Sequence, residues 1–301
     1  MICTPSDDRA AGQPHGPLPP VRISFELFPP KTEAGHERLW SELDRLHRLD
    51  PAYVSVTCGA GGNPAEGTAD LVDQLGRRLG VAAAAHLTCA SAPRAAVDRI
   101  ARAYLEGGIR HIVALRGDPP KDRRDLGEHY PYAVDLVAAI RRLGDFEISV
   151  AAYPETHPQA PSPERDVENL RAKLEAGAGR AITQYCFETE TVLRFRDRVR
   201  RAGVVAPIAI GILPISDFTQ VRRFSERCGA GVPRWLAERF AGVEEDRPAQ
   251  LRIGAEIAAE QVARLVAEGF RQFHFYTLNR AEPTVAACRL LGHPPALASA
   301  A

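Results

Sequence analysis

Short apolar runs alternate with amphipathic stretches along almost the whole of this chain. The apolar runs predict strands at 21–28, 52–58, 82–89, 110–115, 146–152, 180–187, 206–212 and 271–277. They are nearly continuous in β-branched, aromatic and small apolar residues, the pattern of strands covered on both faces of a parallel sheet. Between them, apolar residues spaced three and four apart predict helices at 33–47, 65–79, 92–106, 131–143, 163–176, 189–201 and 216–227. The gap before the last strand holds two more, at 233–240 and 248–268, and a helix at 281–291 closes the series.

Eight strand–helix units in about 270 residues predict a single-domain α/β protein, a (β/α)8 TIM barrel with extra helices before strand eight. A doubly wound open sheet is the alternative. It is the weaker one, because no GxGxxG turn follows the first strand or occurs elsewhere. The barrel is expected over 21–292. The Pro-, Gly- and Asp-rich segment 1–20 and the segment 293–301 are expected to be flexible tails.

Composition narrows the partners. Lys+Arg and Asp+Glu both number 38 in 301 residues, so no global field draws nucleic acid or an anionic membrane. The six cysteines, at 3, 58, 89, 186, 228 and 288, form no CxxC pair and no zinc-type spacing. A reduced, cytoplasmic protein is expected. No apolar run is long enough to span a bilayer, and the first twenty residues lack a signal-peptide core.

Candidate chemistry collects where a barrel places it, at the C-terminal ends of the strands. The first predicted strand carries a lone carboxylate, Glu26, and stops at Pro29-Pro30. Burial there raises a carboxyl pKa from its reference near ~4.3 and makes the group able to donate a proton near neutrality. The bland reading is a satisfied structural carboxylate. Other strand ends bring Thr57 before the glycine-rich Cys58-Gly59-Ala60-Gly61-Gly62, then His86, Arg116 with Gly117 and Asp118, Tyr153 with His157, Gln184 and Arg280. Such a rim points to a small-molecule site.

On the helix after strand five, Asp166, Asn169 and Lys173 share a face. Beside Arg116 and His157, Lys173 could neutralise a phosphate while Asp166 and Asn169 bond a ribose. A metal held by His86, His157, Asp118 and Glu26 is disfavoured by the neighbouring Arg116 and Lys173 cations.

These residues carry a resemblance. Phe25-Glu26-Leu27-Phe28-Pro29-Pro30-Lys31-Thr32, Val56-Thr57-Cys58-Gly59-Ala60, His86-Leu87-Thr88-Cys89 and Leu115-Arg116-Gly117-Asp118 resemble the methylenetetrahydrofolate reductase family. So do Ala151-Ala152-Tyr153-Pro154-Glu155-Thr156-His157-Pro158, Ala181-Ile182-Thr183-Gln184, Gly211-Ile212-Leu213-Pro214 and His274-Phe275-Tyr276-Thr277-Leu278-Asn279-Arg280. The motifs occur in family order and extend over about residues 21 to 292, which is similar to the short bacterial type.

The resemblance implies reduction of 5,10-methylenetetrahydrofolate to 5-methyltetrahydrofolate, a step of one-carbon metabolism and methionine biosynthesis. NADH or NADPH would give hydride to FAD and leave, and the folate would then enter the same place. Glu26 would be the general acid, Asp118 would lie between flavin and pterin, and Gln184 would bond the pterin. Thr57 matches a position touching nicotinamide and flavin. FAD contacts are implied for Cys58, Ala60, His86, Arg116, Gly117 and Asp118. They are likewise implied for Tyr132, Ala133, Tyr153, His157, Asp166, Asn169 and Lys173. Gln220 and Arg280 match folate contacts, and Phe224 the aromatic over the folate or nicotinamide. A homo-oligomer is implied as well.

Three positions depart from the family pattern: Cys58 stands for a frequent tyrosine, Ala172 for an arginine beside Lys173, and Leu27 for a phenylalanine. Two other readings of the scaffold stay open at this point. One is a flavin-free reductase passing hydride directly from nicotinamide to folate. The other is a non-catalytic flavin- or folate-binding barrel, against which the Glu26, Asp118 and Gln184 set speaks.

Overall fold

The computed structural model describes residues 20–58, 64–118 and 127–292. Eight parallel strands close into a barrel in sequence order. They are β1 (Arg22–Leu27), β2 (Tyr53–Val56), β3 (Ala83–Thr88), β4 (His111–Leu115), β5 (Glu147–Ala152), β6 (Arg180–Thr183), β7 (Ile208–Ile212) and β8 (Gln272–Tyr276). The helices outside are α1 (Glu33–His47), α2 (Pro64–Leu79), α3 (Arg94–Glu106), α4 (Ala133–Leu143), α5 (Pro163–Glu175) and α6 (Thr189–Arg201). Between β7 and β8 lie α7 (Phe218–Cys228), α8 (Arg234–Arg239) and α9 (Arg247–Ala267), and α10 (Ala281–Leu290) follows β8. The predicted barrel and its extra helices are both present. The predicted tails fall outside the described residues.

Local chemistry starts several helices where the sequence changes character. Thr32 accepts from Gly35 N at 3.1 Å, Ser162 from Arg165 N at 3.2 Å, Asp217 from Gln220 N at 3.0 Å and Asp246 from Ala249 N at 3.0 Å. Each satisfies one of the amides that a helix N-terminus leaves without a partner.

Outward strand residues such as Phe25, Leu27, Val54, Val56, Ile112, Val150, Phe273 and Phe275 join the helix stripes in the main core. Fully burying a side chain of this kind stabilises by about 1.5–3 kcal/mol. A smaller group inside the barrel contains Tyr53, Ala84, Val113, Ile182 and Ala209.

The inner face departs from expectation. Continuous apolar runs predicted two apolar faces, yet Ser24, Ser55, His86, His111, Ser149 and His274 are all buried. Because side chains alternate across a strand, all of these polar residues except His111, which follows Arg110, sit between two outward apolar ones. The hydrogen bonds they exchange explain how the lumen tolerates them. Ser24 Oγ lies 2.7 Å from His274 Nδ1, and His111 Nε2 lies 2.9 Å from Ser149 Oγ.

The sixth strand is also shorter than predicted, ending at Thr183 instead of residue 187. Tyr185 and Phe187 leave the sheet to pack with Leu213, Ile215, Leu236 and Phe240 in a separate apolar cap. Gly211 makes room at this end: a Cβ there would stand 2.3 Å from Thr183 O and 2.7 Å from the Tyr276 ring.

Candidate active site

Glu26 projects inward from β1, opposite Ser55 of β2 and Tyr276 of β8 in the strand register. Its side chain is 14% exposed, and burial pushes its pKa up to about 8. His86 of β3 presents Nε2 at 3.8 Å from Glu26 Oε2. This contact is not an ion pair. Burial lowers the His86 pKa to about 3, so at pH 7 a largely protonated acid faces a neutral imidazole. His86 Nε2 is buried with no hydrogen-bond partner. The ring thus looks toward Glu26.

The backbone around Glu26 is clamped from β8. Thr277 Oγ1 donates to Glu26 O at 2.7 Å. The Asn279 amide both accepts from Phe28 N and donates to Phe28 O, each at 2.8 Å. Leu278 and Asn279 hold φ of 50° and 56°, the left-handed region that asparagine tolerates. Tyr276 Oη donates across the barrel to Thr183 O at 2.8 Å.

At the end of β2, Thr57 N bonds Leu27 O at 2.9 Å. Cys58 Sγ donates to His86 O at 2.7 Å, and burial pushes its thiol up to about 11. It is a packed, protonated thiol. Ala60 lies outside the described residues. After β4, Arg116 is half-buried, Asp118 is exposed, and Gly117 between them holds φ +73°. A Cβ on Gly117 would lie 2.9 Å from Thr88 Cβ, so close backbone approach requires glycine. Tyr132 is 61% exposed immediately before Ala133, the first residue of α4.

The loop after β5 holds Tyr153 edge-on to His157, with centroids 4.7 Å apart. His157 Nδ1 accepts from Gln159 N at 3.1 Å, and burial lowers the ring's pKa. The ring is therefore neutral at pH 7 and offers Nε2–H as a donor. It can supply a hydrogen bond. Asp166 Oδ2 accepts from His157 N at 2.8 Å, so that oxygen shapes the loop. Lys173 Nζ donates to Ala151 O at 2.6 Å, and burial brings its pKa down to about 8. It stays mostly protonated at pH 7. Asn169 is exposed on the same helix.

On the neighbouring strand, where Gln184 N bonds Ala152 O of β5 at 2.8 Å, Gln184 Oε1 accepts from Tyr185 N at 3.1 Å. Phe224 of α7 stacks on Tyr185 at 6.1 Å and 18°. Gln220 is exposed one turn earlier, and Arg280 Nη1 lies 3.4 Å from Ser216 Oγ. Sequence reasoning passed over Tyr276, Thr277 and Asn279 as supports, and over Ser24, Ser55 and His274 in the lumen. The alternation of polar with apolar residues in β1, β2 and β8 was the available signal. Among the described residues, no group of three His, Cys, Asp or Glu side chains is placed to hold a metal ion.

A closed (β/α)8 barrel with a buried protonated acid at its centre and polar groups at its strand ends defines an enzyme of the TIM-barrel class. The comparisons name the family. A family model described as "Methylenetetrahydrofolate reductase" matches residues 19–292. Over 278 residues the chain is 47% identical to the 5,10-methylenetetrahydrofolate reductase of Pectobacterium carotovorum subsp. carotovorum, covering 92% of each chain. Over 277 residues it is 46% identical to that of Escherichia coli (strain K12), covering 92% of this chain and 93% of the relative. The chain belongs to the methylenetetrahydrofolate reductase family, a family of oxidoreductases. In fold it also matches an uncharacterized protein from Clostridium thermocellum with a TM-score of 0.61 at 15% identity, over 90% of this chain and 96% of that one. Among the described residues no helix is long and apolar enough to cross a membrane.

Proposed function

We propose that this protein reduces 5,10-methylenetetrahydrofolate to 5-methyltetrahydrofolate, with FAD as the hydride carrier and NADH or NADPH as donor. The activity named for relatives 46–47% identical over nearly the whole chain supports the substrate. The observation that carries the mechanism is Glu26, an acid whose pKa of about 8 keeps it protonated at pH 7. A reductase whose substrate must open a five-membered ring needs such a donor at the leaving nitrogen.

The residues fit FAD. Gly117 allows close backbone approach, Lys173 and Arg116 supply cations for a diphosphate, and the neutral His157 supplies Nε2–H. The exposed Tyr132 ring offers an apolar face beside them. When bound, FAD supplies the hydride chemistry, from nicotinamide to carrier and from carrier to folate in the same place. Per turnover one hydride reaches the folate carbon, and one proton passes from Glu26 to the nitrogen freed by ring opening. Asp118 and Gln184 orient the pterin, Gln220 and Arg280 hold the rest of the folate, and Phe224 covers the ring. Thr57 borders the nicotinamide.

Stopped-flow measurement of the two half-reactions in Glu26→Gln tests this reading. FAD content and flavin reduction should stay within a few-fold of the parent. Folate reduction should fall by ~10²–10⁴, the loss typical of a missing general acid. If both half-reactions fall together, Glu26 is structural; if neither falls, the proton comes from elsewhere.

A further inference from the structure

Two parts of the site that lie on different elements are joined by one carboxylate. The loop after β5 carries Tyr153 and His157, and α7 carries Gln220 and Phe224. Glu155, between Tyr153 and His157, reaches across to the turn that follows α7. Its Oε1 and Oε2 accept from Gly231 N at 3.1 and 3.0 Å. The negative charge of the acceptor strengthens such a bond to an amide.

Both sides of the junction are shaped for it. Gly229 caps α7 with φ +69°, and a Cβ there would stand 2.5 Å from Pro158 Cγ of the β5 loop. A Cβ on Gly231 would collide with Glu155 Oε1. Thr156, next to Glu155, holds φ +79°, a strained conformation for a β-branched residue. Strain of this kind persists only where surrounding contacts enforce it. The bonds of Glu155 to Gly231 do so on one side of Thr156, and the bond of His157 N to Asp166 does so on the other.

From that turn the path to the ligand side is short. Ala230 N bonds Ser225 O at 3.0 Å, Ser225 Oγ lies 3.0 Å from Tyr185 Oη, and Tyr185 stacks on Phe224. The start of α7 is fixed separately, by the pair of Arg247 with Asp217 at 2.6 Å and by Phe218 N on Gln250 Oε1 at 2.8 Å.

We propose that Glu155 is a positioning residue, which clasps the end of α7 to the loop after β5 and so sets Phe224 at stacking distance from the ring of a bound nicotinamide or folate. The proposal deepens the reading of this site as a flavin-dependent folate reductase and rests on it. Tyr153 and His157 stand on the side of the carrier, and Phe224 covers the ring that exchanges hydride with it. The clasp therefore fixes the width of the slot between them. Stacking weakens as rings move apart, so a slackened clasp costs affinity for both ligands that enter the slot.

The test opens the clasp from each end in the holoenzyme. In Glu155→Ala, the concentrations of nicotinamide donor and of folate that half-saturate their half-reactions should each rise about tenfold, with limiting rates within about threefold of the parent. FAD affinity of the apoprotein should stay within about twofold, because Asp166 and Gln159 hold His157 independently. Glu155→Gln keeps an acceptor oxygen and should recover most of the loss. Gly231→Ala displaces the carboxylate and should reproduce the Glu155→Ala defect. The double variant, in which the added Cβ meets no carboxylate, should be no worse than either single one. Adding Glu155→Ala to Phe224→Ala should likewise cost nothing further, since the clasp acts through Phe224. Half-saturating concentrations unchanged in Glu155→Ala overturn the proposal. So does full additivity in either pair, and so does a loss of FAD with ligand affinity unchanged, which makes Glu155 a brace for its own loop. Should Glu155→Ala fail to fold, Gly231→Ala combined with Phe224→Ala decides by the same additivity. Folate turnover by the parent checks the underlying reading, so failure of the clasp leaves that reading standing.

Discussion

A carboxylic acid kept protonated by burial weighs on the stability of the protein that holds it. The folded-state pKa of Glu26, about 8, lies above its ordinary value of 4.5. Between those values the folded chain holds a proton that the unfolded chain releases, so stability falls as pH rises. The contribution is fully present below pH 4.5 and lost through pH 8, on the order of 5 kcal/mol at 1.36 kcal/mol per pKa unit. The side-chain amide of the Glu26→Gln variant cannot ionise. Thermal melts should therefore show that variant more stable than the parent at pH 8.5, with the difference shrinking to nothing near pH 4. A constant difference across that range would mean that Glu26 ionises freely in the folded protein. For the same reason, folate reduction by the parent should decline as pH rises through about 8, the pKa of its acid.

At the scale of elements, α5 and the loop after β5 act together. Asp166 is spent on the His157 amide and Lys173 on Ala151 O, so both groups brace the loop that would receive a diphosphate. With His157 neutral, Lys173 is the cation that α5 contributes there. Lys173→Ala should remain folded and bind FAD about 10–100-fold more weakly, from the loss of a charge-assisted bond of about 1.5–3 kcal/mol. Fluorescence titration of the apoprotein with FAD at low and high salt measures this. Equal affinities in variant and parent would place the diphosphate away from α5.

At the scale of the whole molecule, the lumen makes the fold sensitive to acid. Burial lowers the pKa of His86 and His274 to about 3 and of His111 to about 4. Each contributes stability that is present above the ordinary value of 6.5 and lost as pH falls through the lowered pKa. At pH 5.5, unfolding should take up about three protons on these rings and release about one from Glu26, a net uptake of about two by proton linkage. Calorimetric unfolding in buffers of different ionisation enthalpy counts them. A net uptake near zero would mean that the rings are hydrated and free to protonate in the folded barrel.

The barrel itself was legible because its signal is repeated. Eight apolar runs alternating with amphipathic helices admit few architectures, and Pro29-Pro30 or Ser162-Pro163 mark element ends by backbone chemistry alone. The rim was legible because strand ends in a barrel converge, so Glu26, Asp118 and Gln184 could be grouped without a contact being known. What each side chain does there was not. A histidine in the sequence carries no sign of its protonation, and only the burial of His86 and His157 in the folded barrel makes both rings neutral at pH 7. Nor do single strands show which polar residues share the lumen, since register between strands decides it. Ser24, His274 and Ser55 lie far apart in the chain, and they meet only because β1 sits between β8 and β2 when the barrel closes.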